Sequence, residues 1–546
     1  MSDSKLLRGT FVLTLGTYAS RILGMIYLFP FYALVGTLGG TLFGYGYAQY
    51  TIYLSLATAG VPMAVSKFVS KYNAMGDYYT SRRLFRAGIK LMLVTGFLAF
   101  AVLYMTAPSI AKATLGSEGL ENSVEDVTMV IRMVSIALII VPMMSIIRGF
   151  FQGHQSMGPT AVSQVVEQLV RIVFLLVAAY IVIKVYHGTV ATAVGFATFA
   201  AFVGALGGLV VLFWYWKKRK PHLDKLLEES IEPSNITTAQ MFKELFTYAG
   251  PFVFIGLAIP LFQYVDQYTF NKAMIAAGEK EKTEYMFGII QTWVPKLVMI
   301  PLSIATAFGL TLVPTITKSF TDGDHALLKH QIDQTYQTIV FLVLPAVIGL
   351  AVLSYPIYGF LYDVKDAAVA GGAILRIYAP LALWFSFFTV NAAILQGINK
   401  QKYAVISLVL GLLVKIVFNM PFIFVFHEIG SILATALGYT VSIVYTFYMI
   451  KKHAHYDFQV LIKRSLLMTI FALLMGLAVL SVQYSLSLFM TYEDGRLASG
   501  VISMTGAIIG AGVYFYASYR SGLLEKVMGK RLENTIRRKL LRQKSV

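Results

Sequence analysis

Apolar runs of about twenty residues, separated by short polar breaks, follow one another along almost the whole chain. A helix of that length crosses the hydrocarbon core of a bilayer, roughly 30 Å. Fourteen such runs are counted, centred near Ile22, Leu56, Phe100, Leu138, Ile172, Ala201, Ala258, Met299, Leu344, Leu381, Lys415, Thr440, Leu477 and Gly510. The expected fold class is therefore all-α, a polytopic membrane protein with fourteen transmembrane helices.

The pattern repeats itself. Residues 131–174 (IRMVSIALIIVPMMSIIRGFFQGHQSMGPTAVSQVVEQLVRIVF) align without a gap on 375–418 (LRIYAPLALWFSFFTVNAAILQGINKQKYAVISLVLGLLVKIVF). Arg132 falls on Arg376, Gln152-Gly153 on Gln396-Gly397 and Arg171 on Lys415. Val61-Pro62, Gly76-Asp77, Pro108 and Ala193-Val194-Gly195 find counterparts in Val313-Pro314, Gly323-Asp324, Pro356 and Ala436-Leu437-Gly438. Spans one to six thus match spans seven to twelve. An even number of helices per repeat keeps both in the same orientation, which predicts a pseudo-two-fold axis along the membrane normal and a working site between the halves. The expected organisation is an N-terminal six-helix half (1–216), a charged amphipathic linker (217–243), a C-terminal six-helix half (244–452), two unrepeated helices (453–522) and a basic tail (523–546).

Composition agrees with this. The chain is 57% hydrophobic and 13% charged, against roughly 25% charged in soluble domains. It has no cysteine, so disulfides are excluded. The net charge of +18 suggests nucleic acid at first sight, but the cations gather in alternate loops. Lys71, Arg82, Arg83, Arg86 and Lys90 follow the second span, Lys217 to Lys220 the sixth, and the tail is basic. The intervening loops carry Glu118, Glu121, Glu125 and Asp126, then Glu279, Glu281 and Glu284. Loops rich in Lys and Arg mark the cytoplasm, so both termini are expected inside, with no nucleic-acid partner. No cleavable signal peptide is visible. Nor is there a phosphate-binding loop of the G-x-x-x-x-G-K-[ST] kind, a nucleophile–base constellation or a metal-ligand cluster; His427-Glu428 alone makes no metal site. No enzyme, cofactor or metal is expected.

Ser20-Arg21-Ile22-Leu23-Gly24, the stretch Thr58 to Tyr72 (TAGVPMAVSKFVSKY), and Lys296 to Pro301 (KLVMIP) followed by Val313-Pro314 and Lys318-Ser319-Phe320 carry a family resemblance. The chain resembles the MurJ-type lipid II flippases of the multidrug/oligosaccharidyl-lipid/polysaccharide exporter superfamily, and within them the Bacillus/Staphylococcus-like subgroup. Two departures stand out. Enterobacterial members carry a second arginine six residues after the first, where this chain has Tyr27, and an arginine in the second span, which is apolar here.

The resemblance implies a flippase for a polyprenyl-pyrophosphate-linked peptidoglycan precursor, working by alternating access. Membrane lipids and cell-wall synthases would be its other partners. Teichoic-acid, capsule or spore-cortex precursors are alternative cargoes. A multidrug cation antiporter and a non-transporting scaffold for cell-wall synthases are alternative classes.

A cation at mid-bilayer costs roughly 2.5–3.5 kcal/mol, so it faces an interior or a wet cavity. Arg21, Arg171, Lys296 and Lys415 lie near span centres. Arg132, Arg148 and Arg376 lie near span ends, where snorkelling to the headgroups is expected. Arg21 is a candidate for a two-pronged grip on pyrophosphate, against the alternative of a structural pair. Lys296, between Pro295 and Pro301, is the second; the prolines predict a bend there. Lys67, towards the end of its span, and Arg171 complete the candidate substrate-binding set. Glu167 stands four residues before Arg171 and predicts an intrahelical pair. Some relatives hold sodium with their seventh, eleventh and twelfth helices. The matching set is Asp266, Lys415, Asn419 and Thr435, with the Lys415 ammonium in the cation's place and paired with Asp266. This mostly cationic interior has the wrong sign for an organic cation and the right one for a pyrophosphate. Tyr45, Tyr47, Tyr50 and Tyr53 read either as sugar-stacking residues or as an interfacial aromatic belt.

Overall fold

The computed structural model describes residues 26–58, 61–116, 120–231, 236–362 and 366–528, with positions 16, 19, 20, 23 and 24 before them. Regular structure among the described residues is helical. Twelve stretches are long and apolar enough to cross a membrane. They correspond to the expected spans two to six and eight to fourteen. The seventh span is built from two shorter helices. Much of the first, Arg21 included, lies outside the described residues.

Two compact units divide the chain, Met1–Gly288 and Ile289–Val546. The first contains α1 (Leu28–Thr58), α2 (Val61–Ala74), α3 (Tyr78–Leu115), α4 (Val124–Ser135), α5 (Val141–Gly153), α6 (Gly158–Tyr180), α7 (Val190–Glu228), α8 (Thr238–Gly256), α9 (Ala258–Ala276) and α10 (Thr283–Gly288). The apolar pattern runs through α1, but the backbone breaks at Gly36, with φ 66° and ψ −169°. A side chain there would meet its own backbone, so glycine is what permits the kink. Between α8 and α9 the helix restarts around Leu257. Pro260 has no N–H to return to the preceding turn, which is why the seventh span is not one rod.

The charged linker is partly an extension of a span. α7 continues as a helix through Lys217 to Glu228. Its Leu223 is buried with Phe68, Phe85 and Phe150. Arg82 pairs with Asp224 at 3.2 Å and lies 4.8 Å above the Trp216 ring. Ile231 N–H donates to the Gly76 carbonyl at 3.2 Å. The amphipathic pattern thus has a partner: the α2–α3 corner.

The division at Gly288 lies well beyond the repeat boundary read from the sequence. The second repeat is expected to open before α8, yet polar side chains of α9 bond to α1 and α3. Gln267 Nε2 donates to the Tyr45 carbonyl at 3.1 Å, and Asn271 Nδ2 to the Tyr45 hydroxyl at 2.8 Å and the Thr114 carbonyl at 3.1 Å. Thr41 Oγ1 donates to the Glu284 carbonyl at 2.7 Å. Polar groups buried this deeply need partners, and for α9 several are on α1 and α3. The boundary expected from the sequence repeat and the packing boundary therefore differ.

The second unit opens with a π-helical turn, Ile289–Trp293, followed by α11 (Val294–Thr321). The expected bend at Pro295 takes this form: the wide turn absorbs the missing N–H, and α11 runs on through Pro301 without a break. Then come α12 (His325–Val352), α13 (Ser354–Leu361), α14 (Asp366–Tyr378), α15 (Leu381–Gly397), α16 (Gln401–Phe426), α17 (Glu428–Ala454), α18 (Gln459–Ser487), α19 (Arg496–Arg520) and α20 (Leu523–Met528). Tyr336 donates to Asn391 Oδ1 at 2.6 Å and Asn391 Nδ2 to Thr446 at 2.8 Å, tying α12, α15 and α17 together. The unrepeated pair α18–α19 packs on α12 and α13. The basic tail begins as α20, whose Leu523, Leu524 and Val527 are buried against that same cluster.

Candidate functional site

In α6, Val162, Leu169, Val173 and Val177 are 40–60% exposed and mark its outward face. At about 100° per residue, Glu167 and Arg171 point the opposite way. They are not fully sealed. The side chains of Arg148, Glu167 and Arg171 keep 14%, 14% and 19% of their surface. Ionised groups turned away from the apolar face yet still open describe a wet interior, the setting in which intramembrane charges persist.

These side chains form one network. Glu167 accepts from Arg171 Nη2 at 3.1 Å through one oxygen and from Arg148 Nη2 at 2.8 Å through the other. Arg148 Nε donates to Ser163 Oγ at 2.9 Å, and Arg171 Nη1 to the Tyr47 hydroxyl at 3.0 Å. Two guanidiniums share one carboxylate, so the centre is net positive. The Nε of Arg171 is buried with no partner among the described residues. The main chain of α7 approaches closely because Gly204 stands there: a Cβ would lie 2.8 Å from both Arg171 Cβ and the Glu167 carbonyl oxygen.

The second unit treats its cation differently. Lys415 on α16 is 0% exposed. Its ammonium donates to the Ser431 carbonyl at 2.8 Å and to Thr435 Oγ1 at 2.8 Å, both on α17. Asn419, one turn on from Lys415, is buried on the same helix. The geometry is that of a cation in an oxygen cage, with nitrogen at its centre.

The candidates fall as follows. Arg21 lies outside the described residues. Lys67 is exposed on α2 and Lys296 half-buried on α11. Asp266 is buried on α9, in the first unit, whereas Lys415, Asn419 and Thr435 belong to the second. The Glu167–Arg171 pair is present as its spacing predicts. Arg148 does not snorkel; it turns inward to Glu167, because a carboxylate beside it is a better partner than the headgroup region is at that depth. The four tyrosines do not form a belt. Tyr45 and Tyr50 are buried, Tyr47 holds Arg171 and Tyr53 is half-exposed. Sequence reasoning sent Arg148 to the headgroups and Tyr47 to a stacking or belt role, and it did not name Ser163 or Ser431. Ser163, Glu167 and Arg171 recur every four residues, a polar stripe that marked α6 in advance. No local signal pointed to Tyr47 or Ser431.

Residues 6–320 match the family described as "Polysaccharide biosynthesis protein". Over 540 residues the chain is 56% identical to the lipid II flippase MurJ of Bacillus subtilis (strain 168), covering 98% of this chain and 99% of that protein. The chain belongs to the MurJ family of lipid II flippases. Among solved structures, an inward closed conformation of lipid II flippase MurJ matches with a TM-score of 0.67 at 15% identity, covering 95% of this chain and 100% of that one. An inward-facing multidrug resistance transporter of the MATE family, MOP superfamily, matches with a TM-score of 0.59 at 17% identity, covering 81% of this chain and 95% of that one. At such identities the two structures show that the fold is shared, and no more. The MurJ family assignment rests on the full-length relative.

Proposed function

We propose that this protein carries lipid II from the inner to the outer leaflet of the bacterial plasma membrane, with interior cations holding the pyrophosphate. The observation that carries the reading is the end-to-end identity of 56% to a flippase of that substrate. The net-positive centre of Arg148, Glu167 and Arg171 supports it, because a diphosphate needs just such a fork of donors. Arg21, Lys296 and Lys67 are the further cations assigned to the head group. No bond is made or broken in the cargo, so the work is recognition and alternating access. In this reading the two six-helix repeats rock against one another and α18–α19 let the lipid tail stay in the bilayer. An inside-negative potential would favour outward movement of the anionic head by about 2.3 kcal/mol per charge per 100 mV.

Both termini are assigned to the cytoplasm. A cysteine placed in either terminus of this cysteine-free chain should be labelled only from inside. Lys415 is assigned to stand in for a coupling sodium ion; transport by the unmodified protein that requires sodium would overturn this.

The deciding experiment is translocation in proteoliposomes, comparing lipid II with a cationic dye. Lipid II movement by the unmodified protein, lost in Arg171→Ala and in Arg21→Ala combined with Lys296→Ala, is the expected result. Dye export without lipid movement would replace the reading with a cation antiporter.

A further inference from the structure

A chain of neutral hydrogen bonds runs from α1 to α9 within the first unit. Gln49 Nε2 donates to the Tyr268 hydroxyl at 3.0 Å, and Tyr268 passes its own proton to the Tyr264 hydroxyl at 3.0 Å. The direction is forced, since an amide nitrogen can only donate. Tyr264 is therefore left with a hydroxyl proton that no described residue accepts. At the other end, Gln49 Oε1 is buried without a partner among the described residues. The chain thus holds an unspent donor at one end and an unspent acceptor at the other.

The rings add to this. Tyr264 and Tyr268 stand 4.8 Å apart at 78°, so one offers a face where the other offers an edge. Both are half-exposed, as is Tyr53, which lies within electrostatic reach of each. No large apolar residue of α9 is among the exposed ones, in contrast to the valines and leucine of α6. The half-exposed part of α9 thus sets Gln263, Tyr264, Tyr268 and Thr269 beside Leu261 and Val265, a mixed polar and aromatic surface. No charged side chain is hydrogen-bonded into the chain.

We propose that Tyr53, Tyr264 and Tyr268, the last held by the buried Gln49, form a sugar-binding subsite for the carbohydrate next to the pyrophosphate of the cargo. A sugar has C–H faces that lie on an aromatic ring and hydroxyls that both donate and accept, and it carries no charge, which is the complement of this surface. An anion would find only Lys272, one turn beyond Tyr268, and a hydrocarbon tail would strand the hydroxyls. The placement also fits. Tyr47, which holds Arg171, and Tyr53 are six residues apart on α1, about 9 Å of helix rise. A sugar bonded directly to a diphosphate needs its subsite at about that remove. This inference rests on the lipid II reading, and it deepens it by giving the head group a second, neutral point of recognition.

The test uses the full-length protein in nanodiscs and two probes with the same tail and pyrophosphate: lipid II, and undecaprenyl pyrophosphate, which has no sugar. Tyr264→Leu with Tyr268→Leu should lower lipid II affinity by about tenfold or more while leaving the sugar-free probe unchanged. Tyr268→Phe keeps the ring and cuts only the hydrogen-bond chain, so it guards against misfolding; a loss of about three- to tenfold for lipid II alone is expected. Equal losses for both probes, or no loss for either, would overturn the subsite while leaving the flippase reading intact. Unmodified protein that binds neither probe would instead bring down the flippase reading.

Discussion

Arg171 and Lys415 occupy the same place in the two repeats, yet their surroundings are opposite. Arg171 has Glu167 one turn before it, shares that carboxylate with Arg148 and keeps 19% of its side chain open. At the same offset from Lys415 stands Gly411, and Ala392 takes the place of Arg148. With no carboxylate there, α17 closes in: a Cβ on Gly411 would overlap the Ser442 hydroxyl and the Gly438 carbonyl. The ammonium is sealed, and two of its contacts are the Ser431 carbonyl and the Thr435 hydroxyl. A planar guanidinium tolerates shared, partly wet pairing, whereas a compact ammonium fits an oxygen cage. Aligned positions of the sequence thus carry a net-positive, partly open centre in one unit and a sealed lysine in the other.

The sharpest way to break this contrast is Glu167→Ala. It would leave two guanidiniums facing each other without a counterion. Losing one partner of a buried pair costs roughly 3–5 kcal/mol, and the residual exposure here puts the cost nearer about 2–3. Thermal unfolding should shift down clearly, and Arg148→Met in the same background should restore part of it. A variant as stable as the parent would mean that the pair carries little. Next in size is Gly411→Val, which forces apart the α16–α17 contact and should cost about 1–3 kcal/mol or more. The matching change at Glu167, to Gly, should not be tolerated in exchange, because the first unit depends on the charge and the second on the close approach.

Lys415→Met should cost about 1–3 kcal/mol, since the Ser431 carbonyl and Thr435 hydroxyl lose their donor. It also makes a more specific prediction. If the ammonium stands in for a metal cation, the smaller Lys415→Ala should recover stability in sodium but not in choline, measured as a shift in unfolding temperature. Equal curves in both salts would end that analogy. The smallest effect expected is Arg171→Lys. It keeps the charge but loses the fork that reaches Glu167 and Tyr47 together, and lipid II translocation should fall by about three- to tenfold with little loss of stability.

Local pattern carried much of what matters. Runs of twenty apolar residues, the constant offset from Arg132 to Arg376 and the i,i+4 spacing of Glu167 and Arg171 are all properties of neighbouring positions, and helices obey them wherever they sit. Spans, repeat, ion pair and even the buried lysine were legible for that reason. What the tertiary structure alone decided was partnership between distant segments. Arg148 meets Glu167, Tyr47 meets Arg171, Ser431 meets Lys415 and Gln49 meets Tyr268 because packed helices bring them within hydrogen-bond reach, and no spacing along the chain encodes which rotamer or which neighbouring helix will supply a donor. The same holds for α9, read from the sequence as part of the second half but bonded to Tyr45 and Thr114 of the first unit. Hydrophobic pattern selects which face is buried; only close packing, which leaves no unpaired polar group cheaply, selects against what.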